Sequence, residues 1–419
     1  MARNRNYLKL TQLCFNATAI AFTASAYANP NIESVTLKDN KVIITGKAFT
    51  NKVNPTPLLW WQADEGLSPS PVSRTAWSGD VKGSLTQDVV YPNSSNSLSF
   101  DHGSSGGAAL GRIDFESKTL FMFRKLYEDF DVTKNVAHRV RGINLVGELK
   151  VGDELTGSTS GAKHTVSALN YISSANRYDI FFEHKSDNPS EFIKGEKITS
   201  NRSASLESSE NSFKSFNYKT FRLWGEANNS YPVAQGIHGS YYNFNHEHTD
   251  KTFWSSGMTN KLYQLAGEWQ TQQFSYRASD VDSYNGHFEF SIDKVNSVED
   301  DARTVTTEKP TNYNQLYQSQ VSNGAQKGSI VYYDQLYVDD TWHRVILCDQ
   351  PIWNACTQWE IQIPESWNND KVVAEFRMGS MNEEGDKYLY LFDKSGISNI
   401  DGFKIPRSAA NHPPNFSVN

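Results

Sequence analysis

The sequence predicts an all-β protein, on three observations. Aromatic residues make up 13% of the 419 residues, and Gly, Ser and Asn are abundant, a composition that favours strands over helices. Near the start, Ile32-Glu33-Ser34-Val35-Thr36-Leu37 and Val42-Ile43-Ile44-Thr45-Gly46 flank Lys38-Asp39-Asn40-Lys41. Apolar residues alternate in the first run and cluster in the second, and Asp39-Asn40 supplies a turn, so the stretch reads as strand, turn, strand. Near the end, residues 371–377, 387–393 and 402–405 read as three more strands, punctuated by Gly396 and Asp401-Gly402.

Residues 1–28 come first. Arg3, Arg5 and Lys9 precede a mostly apolar run from Leu10 to Ala26, and Ala26-Tyr27-Ala28 follows. This is the layout of a secretory signal peptide, and the expected location is extracellular, by bacterial export. The formal charge is −7, and cleavage would remove three cations and no acid. An acidic chain without a Lys/Arg run is not expected to bind nucleic acid, which is held largely by cations. No later stretch is long and apolar enough to span a bilayer as a helix.

Beyond the leader only Cys348 and Cys356 remain, each at the edge of an extended segment. In an exported protein a close pair reads as a disulfide closing a short loop, with two buried thiols as the alternative. No further Cys or paired His lies nearby at zinc-ligand spacing.

The phrases "VTLKDNKVIITGKAF" (35–49) and "KYLYLFDKSGISNIDGFKI" (387–405) resemble the two halves of an Ig-like IPT/TIG sandwich. Between them, "LLWWQADEG", "KTFRLWGEANNSYP", "GEWQTQQFSYRASDVDSYNGHFEFSID" and "IVYYDQLYVDDTWHRV" resemble the concanavalin A-like lectin/glucanase jelly roll. The resemblance implies an Ig-like part at 29–52 and 341–406, a jelly roll at 53–141 and 211–340, and a loose tail at 407–419. These are structural phrases and carry no catalytic signature.

Residues 142–210 have a rhythm of their own. Leu149-Lys150-Val151-Gly152-Asp153-Glu154-Leu155-Thr156-Gly157 recurs as Phe192-Ile193-Lys194-Gly195-Glu196-Lys197-Ile198-Thr199-Ser200, offset by 43 residues. The motif resembles small β-modules of marine phage and bacterial surface proteins, which implies a duplicated, barrel-like insert in a jelly-roll loop. Such an insertion is tolerated because closure entropy grows slowly with length. The alternative is one elaborate surface loop.

Sugars bind sheet faces by stacking on aromatics, with polar side chains between. Alternation along Trp269-Gln270-Thr271-Gln272-Gln273-Phe274-Ser275-Tyr276-Arg277 puts Trp269, Thr271, Gln273, Ser275 and Arg277 on one face. That is the more polar side and the expected groove. Arg222 and Trp224 share a face of Phe221-Arg222-Leu223-Trp224 and are added to it. The ligand-binding set is therefore Arg222, Trp224, Trp269, Gln273 and Arg277.

Gln235-Gly236-Ile237-His238 resembles the Gln-x-His strand phrase of alginate-lyase-like jelly rolls, interrupted here by Gly236. If the chain is a lyase, the resemblance implies His238 or Tyr241 as base, with Arg222 neutralising a uronate carboxylate. No compact E-x-D-x-x-E strand motif of a retaining glucanase occurs. Jelly rolls of this kind often tie their end strands with calcium, and Asp64 and Asp334 sit at the matching phrases; the alternative is that both cap turns. No cofactor is required.

The sequence thus points to a secreted, non-catalytic glycan-binding or surface-attachment protein whose partner is a polysaccharide or cell-surface glycan. Two alternatives stand beside it: a polysaccharide lyase acting on a uronate polymer, and a structural subunit of an extracellular filament or appendage that self-assembles through edge strands.

Overall fold

Side chains alternate across a strand, so each strand asks for one or two covering layers. In the computed structural model that demand is met by stacking sheets. The structure describes residues 28–102, 109–131, 137–182, 190–215, 218–225, 230–235, 242–244, 260, 262–308, 312–318, 328–382 and 384–405. Among these the protein is all-β, with three short 3₁₀ turns and no α-helix.

Strands from near both ends of the described residues lie in one sheet. Asn31–Lys38 pairs with Lys41–Lys47, which pairs with Lys371–Glu375, then Trp359–Trp367, Arg344–Cys348, Tyr388–Phe392 and Phe403–Lys404. Asp39 and Asn40, both at positive φ (53° and 58°), make the first hairpin turn, the conformation that a tight two-residue hairpin needs.

A middle sheet runs Val295–Ala302, Gly286–Ile292, Trp269–Arg277, Thr119–Asp129, Ile330–Asp339, Ser97–Asp101 and Ser84–Thr86, with Leu59–Gln62 also on Ile330–Asp339. An outer sheet of five strands carries Tyr218–Gly225 beside Tyr313–Gln318. The middle sheet is covered on both faces. Leu120, Met122, Phe274, Tyr276 and Phe288 pack with Phe221, Leu223, Tyr313 and Leu316 of the outer sheet. Phe121, Phe123, Trp60 and Tyr337 pack instead with Val345, Leu347, Ile361 and Leu391 of the terminal sheet. Each fully buried Phe or Leu there contributes about 1.5–3 kcal/mol over exposure. A strand covered twice loses its apolar/polar alternation, which is why Thr119–Asp129 is buried almost throughout.

The interior between the middle and outer sheets is not wholly apolar. Arg124 donates to Gln272 Oε1 (Nε, 2.9 Å), to the Thr220 carbonyl (2.9 Å) and to Gln318 Oε1 (2.5 Å). Tyr242 donates to Glu128 (2.9 Å), and Gln272 donates to Tyr242 (3.2 Å). Buried charges persist only when hydrogen-bonded in this way.

Residues 137–215 form a further sheet that closes on itself, because Arg177–Phe182 pairs both with Lys163–Ile172 and with Ala137–Val146. It has its own core of Val140, Leu155, Val166, Ile180, Phe182, Phe192, Ile198 and Leu206. The two copies of the sequence repeat make the same bonds. Asp153 accepts from the Lys150 N–H (3.0 Å) and Glu196 from the Ile193 N–H (2.7 Å). Gly152 and Gly195 precede them at φ 89° and 82°, a region open to glycine.

Candidate functional site

On Trp269–Arg277 the even residues Phe274 and Tyr276 enter the core shared with the outer sheet, so Trp269, Thr271, Gln273, Ser275 and Arg277 face the terminal sheet. Antiparallel pairing extends that face sideways. Ser275 lies opposite Glu289 and Gln273 opposite Ser291, while Ser291 lies opposite Asn296.

Over this floor the terminal sheet leaves a cleft of about 140 Å³. Gln273, Ser275, Glu289, Ser291 and Asn296 form its base, Phe121 one wall, and Asp293 and Lys294 one end. Arg344, Trp353 and Asn354 come from the terminal sheet and its loop. Trp353 and Asn354 sit on a 3₁₀ turn, Trp353–Ala355, enclosed by the Cys348–Cys356 disulfide, whose Cα atoms are 5.8 Å apart.

The charges in the cleft are unusual. Lys294 Nζ lies 3.0 Å from the centre of the Trp353 ring and 4.3 Å from that of Trp359, and it has no hydrogen-bond acceptor among the described residues. Burial lowers its pKa to about 7, because an amine without water or a partner prefers the neutral form. Arg344 stacks on Phe392 (3.8 Å) and Phe121 (4.4 Å) and donates to the Trp342 carbonyl (2.8 Å); burial lowers it to about 10. Asp293 is pushed up by burial while its Oδ1 accepts the Thr271 N–H (2.9 Å). Glu289 is held below its usual range, first by His287, and accepts from Asn296 (3.0 Å). Shifted groups of opposite kinds facing one cleft are a mark of functional sites.

The sequence-derived set does not share one groove. Arg222 and Trp224 stack on each other at 4.1 Å. Their neighbours Phe221 and Leu223 point into the core, so this pair lies on the far side of the outer sheet. Trp269, Gln273 and Arg277 do share a face, but the terminal sheet divides it. Lys125, opposite Thr271, donates to Thr271 Oγ1 (2.9 Å) and to the Trp359 carbonyl (3.0 Å). Trp359 therefore sits between Trp269 and Gln273. Trp269 is left with Tyr91 (5.4 Å) and Tyr127 (5.7 Å) and donates to the Val90 carbonyl (3.0 Å). At the other end Arg277 stacks on Trp342 (5.6 Å). Alternation gives the face of a strand; it does not give what crosses it.

Asp64 caps a turn, accepting the Ser95 (2.9 Å) and Asn96 (2.7 Å) N–H groups. Asp334 is fully buried and raised to about 7, chiefly by burial, with Glu360 and Asp64 adding to the rise. Among the described residues the two do not join a third ligand in a metal-sized cluster. The group that does, Cys348, Asp349 and Cys356, has both sulfurs in the disulfide. His238 and Tyr241 lie outside the described residues. Lys294, Arg344 and Trp353 were missed, because they come from separated segments that share no motif spacing.

No family model and no curated protein matches the chain. Among solved structures it is similar to an endo-β-1,4-glucuronan lyase from the fungus Trichoderma reesei, at 10% identity over 68% of this chain and 97% of that one, with a TM-score of 0.29. It is also similar to the alginate lyase Aly36B (11%, 59% and 81%, TM-score 0.26). A third is a marine PL-14 alginate lyase from Aplysia kurodai (9%, 62% and 88%, TM-score 0.27). No helix among the described residues is long and apolar enough to cross a membrane.

Proposed function

We propose that the protein binds a uronate polysaccharide in this cleft and cleaves it by β-elimination. The observation that carries the reading is Lys294, an amine near neutrality in a cleft that also holds a guanidinium and a carboxyl raised by burial. Elimination needs a base for the C5 proton, positive charge for the uronate carboxylate, and an acid for the departing O4. Neutral Lys294 takes the C5 proton. Arg344 neutralises the carboxylate and holds the charge that develops on it. The C4–O bond breaks, a C4=C5 double bond forms, and the Lys294 ammonium returns its proton to the leaving oxygen. Gln273, Asn296 and Asn354 supply the amides that sugar hydroxyls pair with.

The test is incubation with glucuronan, alginate and glycosaminoglycans, read as absorbance of the unsaturated uronate product. Product from one of these, lost in Lys294→Met, supports the reading. No product from any of them ends it.

The second reading is non-catalytic glycan binding. It is favoured by the preponderance of amides, hydroxyls and carboxylates in the lining beside Trp353. Binding without product, undiminished in Lys294→Met, supports it. Export through residues 1–28 belongs to both readings, and a disulfide is in keeping with an oxidising compartment.

A further inference from the structure

The closed sheet at 137–215 carries charges that neither reading uses. Ile180 and Phe182 of Arg177–Phe182 enter that sheet's own core, so Arg177 and Asp179 lie on its outer face. On Ala137–Val146, Arg141 lies opposite Asp179 and Arg139 opposite Phe181. Three guanidiniums thus converge on one carboxylate whose side chain is 4% exposed. Arg139 meets Oδ2 at 3.4 Å, while Arg141 (3.4 Å) and Arg177 (3.6 Å) both meet Oδ1.

These contacts are loose. A charge-assisted N–H···O bond of good geometry measures about 2.7–2.9 Å, and the Nε atoms of Arg141 and Arg177 are buried without a hydrogen bond among the described residues. Glu210 accepts from Nη1 of Arg141 (3.1 Å). Asp179 is the one acid that Arg177 meets among the described residues. Glu207, opposite Ile143, accepts from Asn144 instead (3.3 Å). Both Arg141 and Arg177 keep access to water, with side chains 29% and 31% exposed.

We infer that Arg141 and Arg177 form a second anchor for polysaccharide, taking one carboxylate of an acidic chain between them while Asp179 holds the pair in place. A guanidinium offers five N–H donors in a rigid plane, so one that faces a carboxylate along one edge still has donors for a second. In the ion pairs above three cations share two acids, and the bound carboxylate supplies the missing charge. The identity of the anion rests on the uronate reading; the site itself stands on the arginines.

The experiment is calorimetry on the full chain carrying Lys294→Met, which prevents cleavage, with alginate, glucuronan and uncharged dextran. Adding Arg177→Gln is expected to weaken binding of both acidic polymers by about tenfold and to leave any binding of dextran unchanged. Arg177→Lys keeps a charge beside Asp179 but loses the planar fork, and should weaken them by about threefold. Thermal melts show whether each variant is folded, and if Arg177→Gln is not, Arg177→Lys decides. Equal affinity in the folded variant and its parent overturns the inference, as does an equal loss on dextran or a parent that binds neither acidic polymer. A Tm raised by inorganic sulfate with polymer affinity unchanged marks a site for small anions only, and overturns it as well. Elimination fails separately. If the wild type yields no unsaturated product yet binds acidic polymer through Arg177, the anchor stands and the cleft's chemistry falls.

Discussion

Lys294 Nζ lies over the Trp353 ring, 3.0 Å from its centre, in a cleft that it shares with Arg344. The ring face favours the ammonium form, and burial opposes it. Burial wins, and the amine titrates near 7.

A base of that pKa sets the acid limb of the activity. Product formation is expected to fall about tenfold per pH unit below about 7 and to level off above it. Lys294→Met should lower kcat by about 10²–10⁴-fold with little change in KM. Lys294→Arg, which cannot deprotonate, should be as inactive. A pH–rate profile of the wild type, with kinetics of both variants, checks this.

Asp334 supplies a stability prediction. Its folded pKa of about 7 stands above the ordinary carboxylate value of 3.8, so the folded state holds the proton more tightly than the unfolded chain. The stability that goes with that proton is fully present below about pH 4 and is lost as pH rises to about 7. Asp334→Asn should therefore match the wild type near pH 4 and be more stable at pH 8, by on the order of 2–4 kcal/mol. Thermal melts across that range check it. Adding calcium tests the proposed ion at Asp64 and Asp334: a rise in wild-type Tm that is absent in Asp334→Asn supports the ion, and equal responses dismiss it.

The disulfide encloses the turn that carries Trp353 and Asn354. Cys348→Ser with Cys356→Ser should cost about 2–3 kcal/mol by loop closure. Because the cleft wall is on that loop, affinity for a bound uronate oligomer should fall as well. Calorimetry on oxidised and reduced protein separates the two effects.

Glu196 accepts the N–H groups of Thr159 (3.0 Å), Ser160 (2.9 Å) and Ile193 (2.7 Å). Glu196→Gln swaps one acceptor oxygen for a donor that clashes with these donors. It should destabilise the barrel by about 1–3 kcal/mol. Proteolysis within residues 137–215 should quicken, while activity at the cleft persists.

How much of this was legible in the sequence depended on range. The Asp39-Asn40 hairpin, the paired cysteines and the 43-residue repeat are local signals, and each has its counterpart in hydrogen bonds or in the disulfide. Alternation also sorted Gln273 from Phe274 to the correct sides of their strand. It could not show that Trp359 and Trp342 land on that same face, because one arrives from the terminal sheet and the other from the connection that leads into it. Nor could it explain the buried Gln270 and Gln272. Their partners, Arg124 and Glu128, are brought in by Thr119–Asp129.

The hairpin Asn31–Lys38 and Lys41–Lys47 docks onto Lys371–Glu375, a stretch made long after it. Until that stretch emerges, the earliest strands have an open border with bonding groups to spare, the kind that sticks to neighbouring chains. The hairpin is fastened by residues made long after it, so a chain stalled before them would be a hazard to its neighbours as well as a failed copy.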